Sequence, residues 1–417
     1  MTPAGTGAAT AGGGDRLEFT GYLLIAACLG VVQFSIFIAQ SVLLTLAVLV
    51  WIVVAVRDRR RPDVPAFFLP LLVYAALTLV SSAVSVDPVE SFIDSKQLLL
   101  WLMVPVVARF ARGDRAMHVI DVIIALGAAG AVYGIVQSRL LGFDNLGNRP
   151  AGSLSSYMTY SGVLMLVTCA AVARLVFYRR EWIWPAIALP ALIVALGFTL
   201  TRNAWIGTAV ALMVLLALRQ WKLVLIVPVL GLALVAVAPG YVRARVASMG
   251  DPNDPVRIDR IAMLEVGRGM VAAHPFFGVG PEMVQREYVK YRPPVYTNET
   301  NPHLHNVPVQ IAAERGLPAL AAWLWFVVAA GLDLLRQARR GPYRSVAAAG
   351  LAALVAMLAA GLFEYNFGDS EFLMLLLGLL TLPYAAAHGA GVVADGAGAA
   401  PAGDATPAPR RTEPAAG

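Results

Sequence analysis

The chain has 417 residues, 59% of them hydrophobic and only 14% charged, with a mean hydropathy of +0.70. Soluble domains run nearer half apolar and a quarter charged, so a soluble globular protein is excluded, as is the period-2 alternation of a membrane barrel. The net charge of +6 comes as short arginine clusters between apolar runs, the pattern of membrane orientation signals rather than of a nucleic-acid surface.

The fold class that follows is an all-α polytopic membrane protein. Residues 1–16 are Gly/Ala/Thr-rich, lack the basic start and cleavage site of a signal peptide, and are expected to be disordered. About twelve apolar runs follow, near 20–38, 41–56, 65–82, 95–109, 117–138, 157–177, 182–199, 204–218, 222–239, 306–331, 345–362 and 371–388. From Ile183 to Leu218 the chain is apolar except for "TLTRNAW" (199–205). As one helix that stretch would reach about 54 Å, against a hydrocarbon core of about 30 Å. Two short spans with a turn at Thr201-Arg202-Asn203 fit better. The clusters "RDRRR" (57–61), "RFARGDR" (109–115), "YRR" (178–180), "RQWK" (219–222) and "RQARRGPYR" (336–344) then share one side, which the positive-inside rule makes cytoplasmic. Both termini fall on that side, and residues 390–417, rich in Ala, Pro and Gly, form a disordered tail there.

The opposite side receives the acidic loops "SVDPVESFID" (85–94) and "EYNFGDSE" (364–371), and one long loop, 240–303. Loops beyond about 15 residues are usually functional or disordered. Within this one, Ile261, Leu264 and Met270 recur at helical spacing, so part of it is expected to be an amphipathic helix, ended by "HPFFGVGPE" (274–282). Cys28 and Cys169 lie in apolar runs and read as buried thiols, with neither a disulfide nor a thiol-bound metal indicated.

The polar residues at this outer edge carry the chemistry. Arg202, at the tip of an apolar hairpin, either snorkels to lipid headgroups or binds an anion such as a phosphate. Arg257, Arg260 and Arg268 are either a solvated basic face balanced by Asp259 and Glu265 or part of a shared anion site; Arg260 and Arg268, eight residues apart, are expected on one helix face. His303 and His305 open the tenth span. Their i, i+2 spacing does not support a helical zinc motif, which leaves interfacial residues or a general base, since imidazole titrates near neutral pH. Asn306 is positioned to cap the helix. Glu314, nine residues after His305, is a buried partner or bonds a neighbouring helix, and "EYNFGD" (364–369), with Glu364 and Asp369, either lines a polar entrance or is an ordinary turn, the turn being the preferred reading.

Four segments in order, "NRPAGSLSSYMTYSGVLML" (148–166), "TLTRNAWIG" (199–207), "DRIAMLEVGRGMVAAHPFFGVGPE" (259–282) and "HLHNVPVQIAAERGLPALAAW" (303–323), resemble signature segments of the O-antigen ligase superfamily, which also holds O-antigen and other polysaccharide polymerases. The resemblance implies a GT-C-like membrane domain over 17–389 in the inner membrane of a bacterium, with its active site on the periplasmic face. It implies transfer of a saccharide from undecaprenyl diphosphate to an acceptor hydroxyl on a glycan or glycolipid, lipid A–core in the ligase branch. The transfer would be inverting, with no metal or other cofactor. By matching motifs it assigns Arg202 and Arg260 to the diphosphate and His305 to proton removal. Arg257, Arg268, His303, Asn306 and Glu314 stand as supporting residues. The alternatives are a polymerase joining repeat units, a multi-span transporter, which would favour matching halves that are not seen here, and a non-catalytic membrane scaffold.

Overall fold

The computed structural model describes residues 8–59, 62–294, 296 and 300–397. Among these the chain is helical, with no β-strand. The helices are α1 (Ala8–Val31), α2 (Phe37–Asp58), α3 (Phe68–Ala83), α4 (Pro88–Phe110), α5 (Arg115–Leu140), α6 (Tyr157–Phe177), α7 (Ile183–Phe198), α8 (Arg202–Arg219) and α9 (Trp221–Val237). There follow α10 (Gly240–Ala247), α11 (Pro255–Ala273), α12 (Val284–Tyr291), α13 (Val307–Arg340), α14 (Arg344–Gly361) and α15 (Ser370–Ala397). Eight of them, α2, α4, α5, α6, α8, α13, α14 and α15, are long and apolar enough to cross a membrane, and α3, α7 and α9 are shorter apolar helices. The chain is a multi-pass membrane protein. The expected apolar runs overlap α1 to α9 and α13 to α15. α1 begins at Ala8 and so takes in part of the segment expected to be disordered. Residues 1–7 and 398–417 lie outside the described residues.

Side chains from the basic clusters meet at one pole of the bundle. Arg109 pairs with Asp58 and Glu18, Tyr343 Oη donates to Asp114 at 3.1 Å, and the Arg344 guanidinium lies 5.6 Å from the centre of the Phe177 ring. The long loop and the two acidic loops meet at the other pole, where Arg286 Nη1 lies 2.7 Å from Asp87 and His305 Nδ1 2.9 Å from Glu364. The turn between α7 and α8 falls at Thr199–Thr201, slightly before its expected place. Leu200 takes a left-handed φ of 54°, and the Thr199 and Thr201 hydroxyls bond the carbonyls of Leu196 and Thr199. Arg202 thereby becomes the first residue of α8.

The core of the bundle is α6, α14 and α15. α14 reads "RSVAAAGLAALVAMLAAG", and these small side chains let neighbouring backbones come close, as helix packing in lipid favours. A Cβ on Gly207 of α8 would sit 2.8 Å from the Ala356 carbonyl oxygen of α14. That close crossing holds the start of α8 beside the end of α14. α9, in contrast, buries none of its side chains in the protein, and its apolar surface suits lipid.

The long loop is folded onto the bundle. Its helix α11 buries Ala262, Met263, Val266, Gly267 and Met270 against Leu304 and the start of α13. Met270 packs against the bundle, whereas Ile261 and Leu264, at helical spacing from it, are exposed. The loop's Pro/Gly segment then crosses a break in α13. At Gly316 the backbone leaves the helix, with φ 82° and ψ 170°. Pro318 has no N–H to give to the Glu314 carbonyl. The freed carbonyls of Ala313 and Glu314 accept from Val279 N and Gly280 N, both at 2.9 Å, and Leu317 N donates to the Pro275 carbonyl at 2.8 Å. Ser81 Oγ closes the junction, reaching the carbonyls of Phe277 at 2.7 Å and Glu314 at 2.9 Å. A Cβ at Gly316 would lie 2.1 Å from the Phe276 carbonyl oxygen, and one at Gly278 would lie 2.2 Å from the Glu314 carbonyl carbon.

Gly316→Ala is therefore expected to lower the melting temperature of the detergent-solubilised protein, the left-handed backbone alone costing about 1–3 kcal/mol. An unchanged melting curve for Gly316→Ala would contradict the backbone crossing.

Candidate functional site

Two cavities lie side by side at the loop-bearing pole, and Met158 and Asn203 line both. The larger, about 460 Å³, is basic: Arg149, Arg202, Arg245, Arg257 and Arg260 line it, and no carboxylate among the described residues does. Arg202 Nη1 donates to Asp254 Oδ2 at 2.6 Å, and Asp254 also caps α11 by accepting from Val256 N at 2.8 Å. One acid thus ties the start of α8 to the start of α11. Arg245, from α10, reaches the Leu200 carbonyl at 3.2 Å, Arg260 donates to the Phe363 carbonyl, and Arg149 lies over the Tyr157 ring at 4.2 Å. Burial, then the charges of Arg202 and Arg149, push the Arg245 guanidinium down to about 10. Arg149 and Arg260 are also lowered, by burial first and then by Arg202, although Glu364 pulls Arg260 the other way. Such mutual repulsion is relieved by an anion. The same cavity has an apolar side that includes Ile206, Ile261, Leu264 and Phe363.

The second cavity, about 270 Å³, is acidic. Asp94, Glu282, Glu314, Glu364 and Asp369 line it, with Arg315 the one guanidinium among its lining residues. Glu314 and Arg315 are buried in α13 just before its break. Glu314 accepts from Gln310 Nε2 at 2.8 Å and from Glu282 N at 3.1 Å and pairs with Arg315, which also reaches Asp94 at 3.4 Å. Buried charges persist only when paired in this way.

His305 and Glu364 stand where the cavities meet. His305 lines the basic cavity, whereas His303 and Glu364 line the acidic one. His305 Nδ1 is 2.9 Å from both Glu364 oxygens. Burial alone would raise the Glu364 carboxyl, but the His305 hydrogen bond and the charges of His305, His303 and Arg260 outweigh it and hold the group below its usual value. In a neutral imidazole bonded to an ionised carboxylate, Nδ1 carries the proton and Nε2 the lone pair. His305 is held with φ 47°, a left-handed conformation uncommon outside glycine and often found at functional sites. Asn306 caps α13 as expected, accepting from Val309 N at 3.0 Å, and its amide donates to the Leu362 carbonyl at 3.1 Å. The cap therefore also fixes the end of α14 that leads into Glu364. The His303 ring packs 4.2 Å from that of His305, and burial, then His305, lowers its pKa to about 4, so it is neutral at ordinary pH.

His303, His305 and Glu364 also offer ligand atoms within 4.8 Å of one another. The spacing of the two histidines in sequence does not dispose of a metal, because the third group comes from another loop. Zinc–ligand bonds of about 2.0–2.2 Å would require Glu364 to release its hydrogen bond to His305. As it stands, the trio is arranged as a hydrogen-bonded pair with a neutral imidazole alongside.

Of the residues singled out in the sequence, Arg202, Arg257, Arg260, His305 and Asn306 line the basic cavity, and His303 and Glu314 the acidic one. Arg268 does not join them. It is exposed on α11 and lines neither cavity, since eight residues leave it two turns farther along and rotated by about 80° from Arg260. The sequence alone does not single out Arg149, Arg245, Asp254 or Asp94, and it prefers an ordinary turn to a polar entrance for the segment of Glu364 and Asp369, both of which line the acidic cavity. One signal was available: Arg149 and Arg245 are basic residues on the side opposite the five arginine clusters.

A search of the curated proteins gives no match. Residues 187–324 match the model of a family described as O-antigen ligase. The matched span runs from α7 through α8 and the long loop into α13, and so contains Arg202, Arg245, Arg260, His305 and the crossing at Gly316. Over that span the protein is similar to the O-antigen ligase family, and the span is set in a multi-pass helical bundle.

Proposed function

We propose that the protein is a ligase-type glycan transferase that moves a saccharide from undecaprenyl diphosphate to an acceptor hydroxyl on lipid A–core or another surface glycan, by direct inverting attack and without a metal ion. The observation that carries this reading is the division of charge: five arginines on one side of His305 and five carboxyl side chains on the other. The diphosphate binds in the basic cavity, with Arg202, Arg245 and Arg260 countering the charge that develops as it leaves. Guanidinium groups fixed in a low-dielectric site do this with little reorganisation. The first isoprene units lie along Ile206, Ile261 and Leu264. The acceptor enters from the acidic cavity, and His305 Nε2 takes its proton as the hydroxyl oxygen bonds the anomeric carbon and the carbon–oxygen bond to the diphosphate breaks. Glu364 positions the imidazole and stabilises the imidazolium. The apolar helices α1 to α9 and α13 to α15 are read as twelve membrane crossings. The arginine-rich pole then faces the cytoplasm, with both termini, and the two cavities face the periplasm.

Deleting the gene tests this reading in the cell. Long glycan retained on its lipid carrier, with acceptor left bare, is the expected result. Single repeat units on an otherwise competent acceptor would mean polymerisation, and unchanged surface and lipid-linked glycans would contradict both.

In purified protein assayed with a chelator present, His305→Ala is expected to lower kcat by about 10²–10⁴-fold, the usual worth of a general base. Glu364→Gln should lower kcat with little change in donor KM; an equal loss in KM would assign Glu364 to donor binding instead. Arg260→Ala, which removes a charge acting on Glu364, is expected to cost about 10²–10³-fold in kcat, while Arg149→Ala should act mainly through donor KM. Full transfer by His305→Ala would remove the general-base role.

A further inference from the structure

The acidic cavity carries a second consequence, which rests on the transfer reading above. Its carboxyl groups are not all spoken for. Asp94 and Glu314 face Arg315, and Glu364 faces His305. Glu282 and Asp369 form no ion pair among the described residues: the Glu282 backbone N–H bonds Glu314 while its carboxyl lines the cavity, with Arg315 acting on it at longer range, and Asp369 accepts from Thr159 Oγ1 and Phe372 N and shares a hydrogen bond with the Glu371 carboxyl. The other groups around the space are neutral, among them Gln97, Ser161, Asn203, Gln310 and Tyr365. Five carboxyl groups thus share a partly enclosed space with a single guanidinium among the described residues, two of them outside any ion pair, beside a set of donors and acceptors suited to sugar hydroxyls.

We infer that the acceptor cavity selects a saccharide that is uncharged or bears an amine at its acceptor end, and rejects one bearing phosphate or carboxylate there. Like charges brought together in a poorly solvated site are strongly unfavourable, whereas an ammonium gains two partners. The neighbouring groups respond as this requires. Burial first, and then Asp94, raise the Glu282 carboxyl in spite of Arg315. Burial, and then the charge of Glu364, raise Asp369 against its hydrogen bonds with Thr159, Phe372 and Glu371. The partition also guards the donor side. An anionic acceptor would be drawn past His305 into the five-arginine cavity and would compete with the diphosphate, while a neutral or cationic one is held where its hydroxyl can meet the imidazole.

The test uses the full-length protein in lipid nanodiscs, the polyprenyl-diphosphate glycan extracted from the host's own membranes, and three acceptors. These share one saccharide, taken from the host's acceptor glycan, and carry a hydroxyl, an amine or a phosphate at the same non-reacting carbon. The phosphorylated acceptor is expected to have a kcat/KM at least about tenfold below the hydroxyl form, with the amine equal to or better than the hydroxyl. Glu282→Gln should narrow the gap by raising transfer to the phosphorylated form, and Asp369→Asn should do the same if α15 keeps its cap; Glu282→Gln alone suffices if it does not. Equal transfer to all three acceptors, or a gap that Glu282→Gln leaves unchanged, would overturn the inference while leaving glycan transfer standing. No consumption of donor with any acceptor, the host's native glycolipid included, would remove the transfer reading and this inference with it.

Discussion

The site depends on one backbone crossing. Where α13 breaks at Gly316, two carbonyls lose their helical partners, and the strand of loop at 275–280 supplies new ones. Neither chain could approach so closely with a side chain at Gly278 or Gly316. The consequence reaches both cavities. The crossing fixes the long loop, and with it α11 and Arg260, against the helix that carries Glu314 and that His305 and Asn306 lead into. It also places Glu282 N within reach of Glu314, so that a buried carboxyl is bonded from the loop as well as from its own helix. Unpaired backbone groups at membrane depth are costly, which gives the break and the loop each a reason to hold the other.

On that frame the protein separates charge. Close packing of α8 on α14 brings Arg202 beside the turn that carries Glu364, and the Arg202–Asp254 pair draws in the loop helix. Arginines gather on one side of the His305–Glu364 pair and carboxyl groups on the other. Each set is unfavourable by itself in a poorly solvated space. Such arrangements are more often kept for chemistry than for stability, and this one suits a reaction in which an anion leaves on one face of a carbon while a hydroxyl arrives on the other. The neutral His303 beside His305 adds no charge to either set.

Much of the fold was legible in the sequence, because hydropathy over about 20 residues is a strong constraint and arginine clusters report the parity of the spans. Arg202 was legible because a charge at the tip of an apolar hairpin has to be accounted for, and Asn306 because Asn before a helical Pro-containing turn is a capping pattern. What was not legible came from pairing at a distance. Glu364 lies 59 residues from His305 and Asp254 lies 52 from Arg202, and local pattern says nothing about such partners. The docked face of α11 was not legible either: Ile261 and Leu264 are more apolar than their neighbours yet stay exposed beside the basic cavity, whereas small Ala262 and Gly267 allow close docking. Arg268 was grouped with Arg260 by spacing alone, which ignores the rise along the helix.

The central claim is that the diphosphate and the acceptor occupy opposite sides of His305. The most direct measurement is a cryo-EM structure of the His305→Ala protein in nanodiscs with an undecaprenyl-diphosphate-linked saccharide bound. The account predicts phosphate density among Arg202, Arg245 and Arg260, lipid density along Ile261 and Leu264, and the first sugar beside position 305. Phosphate density in the cavity of Glu282 and Asp369, or bound away from the five arginines, would contradict it.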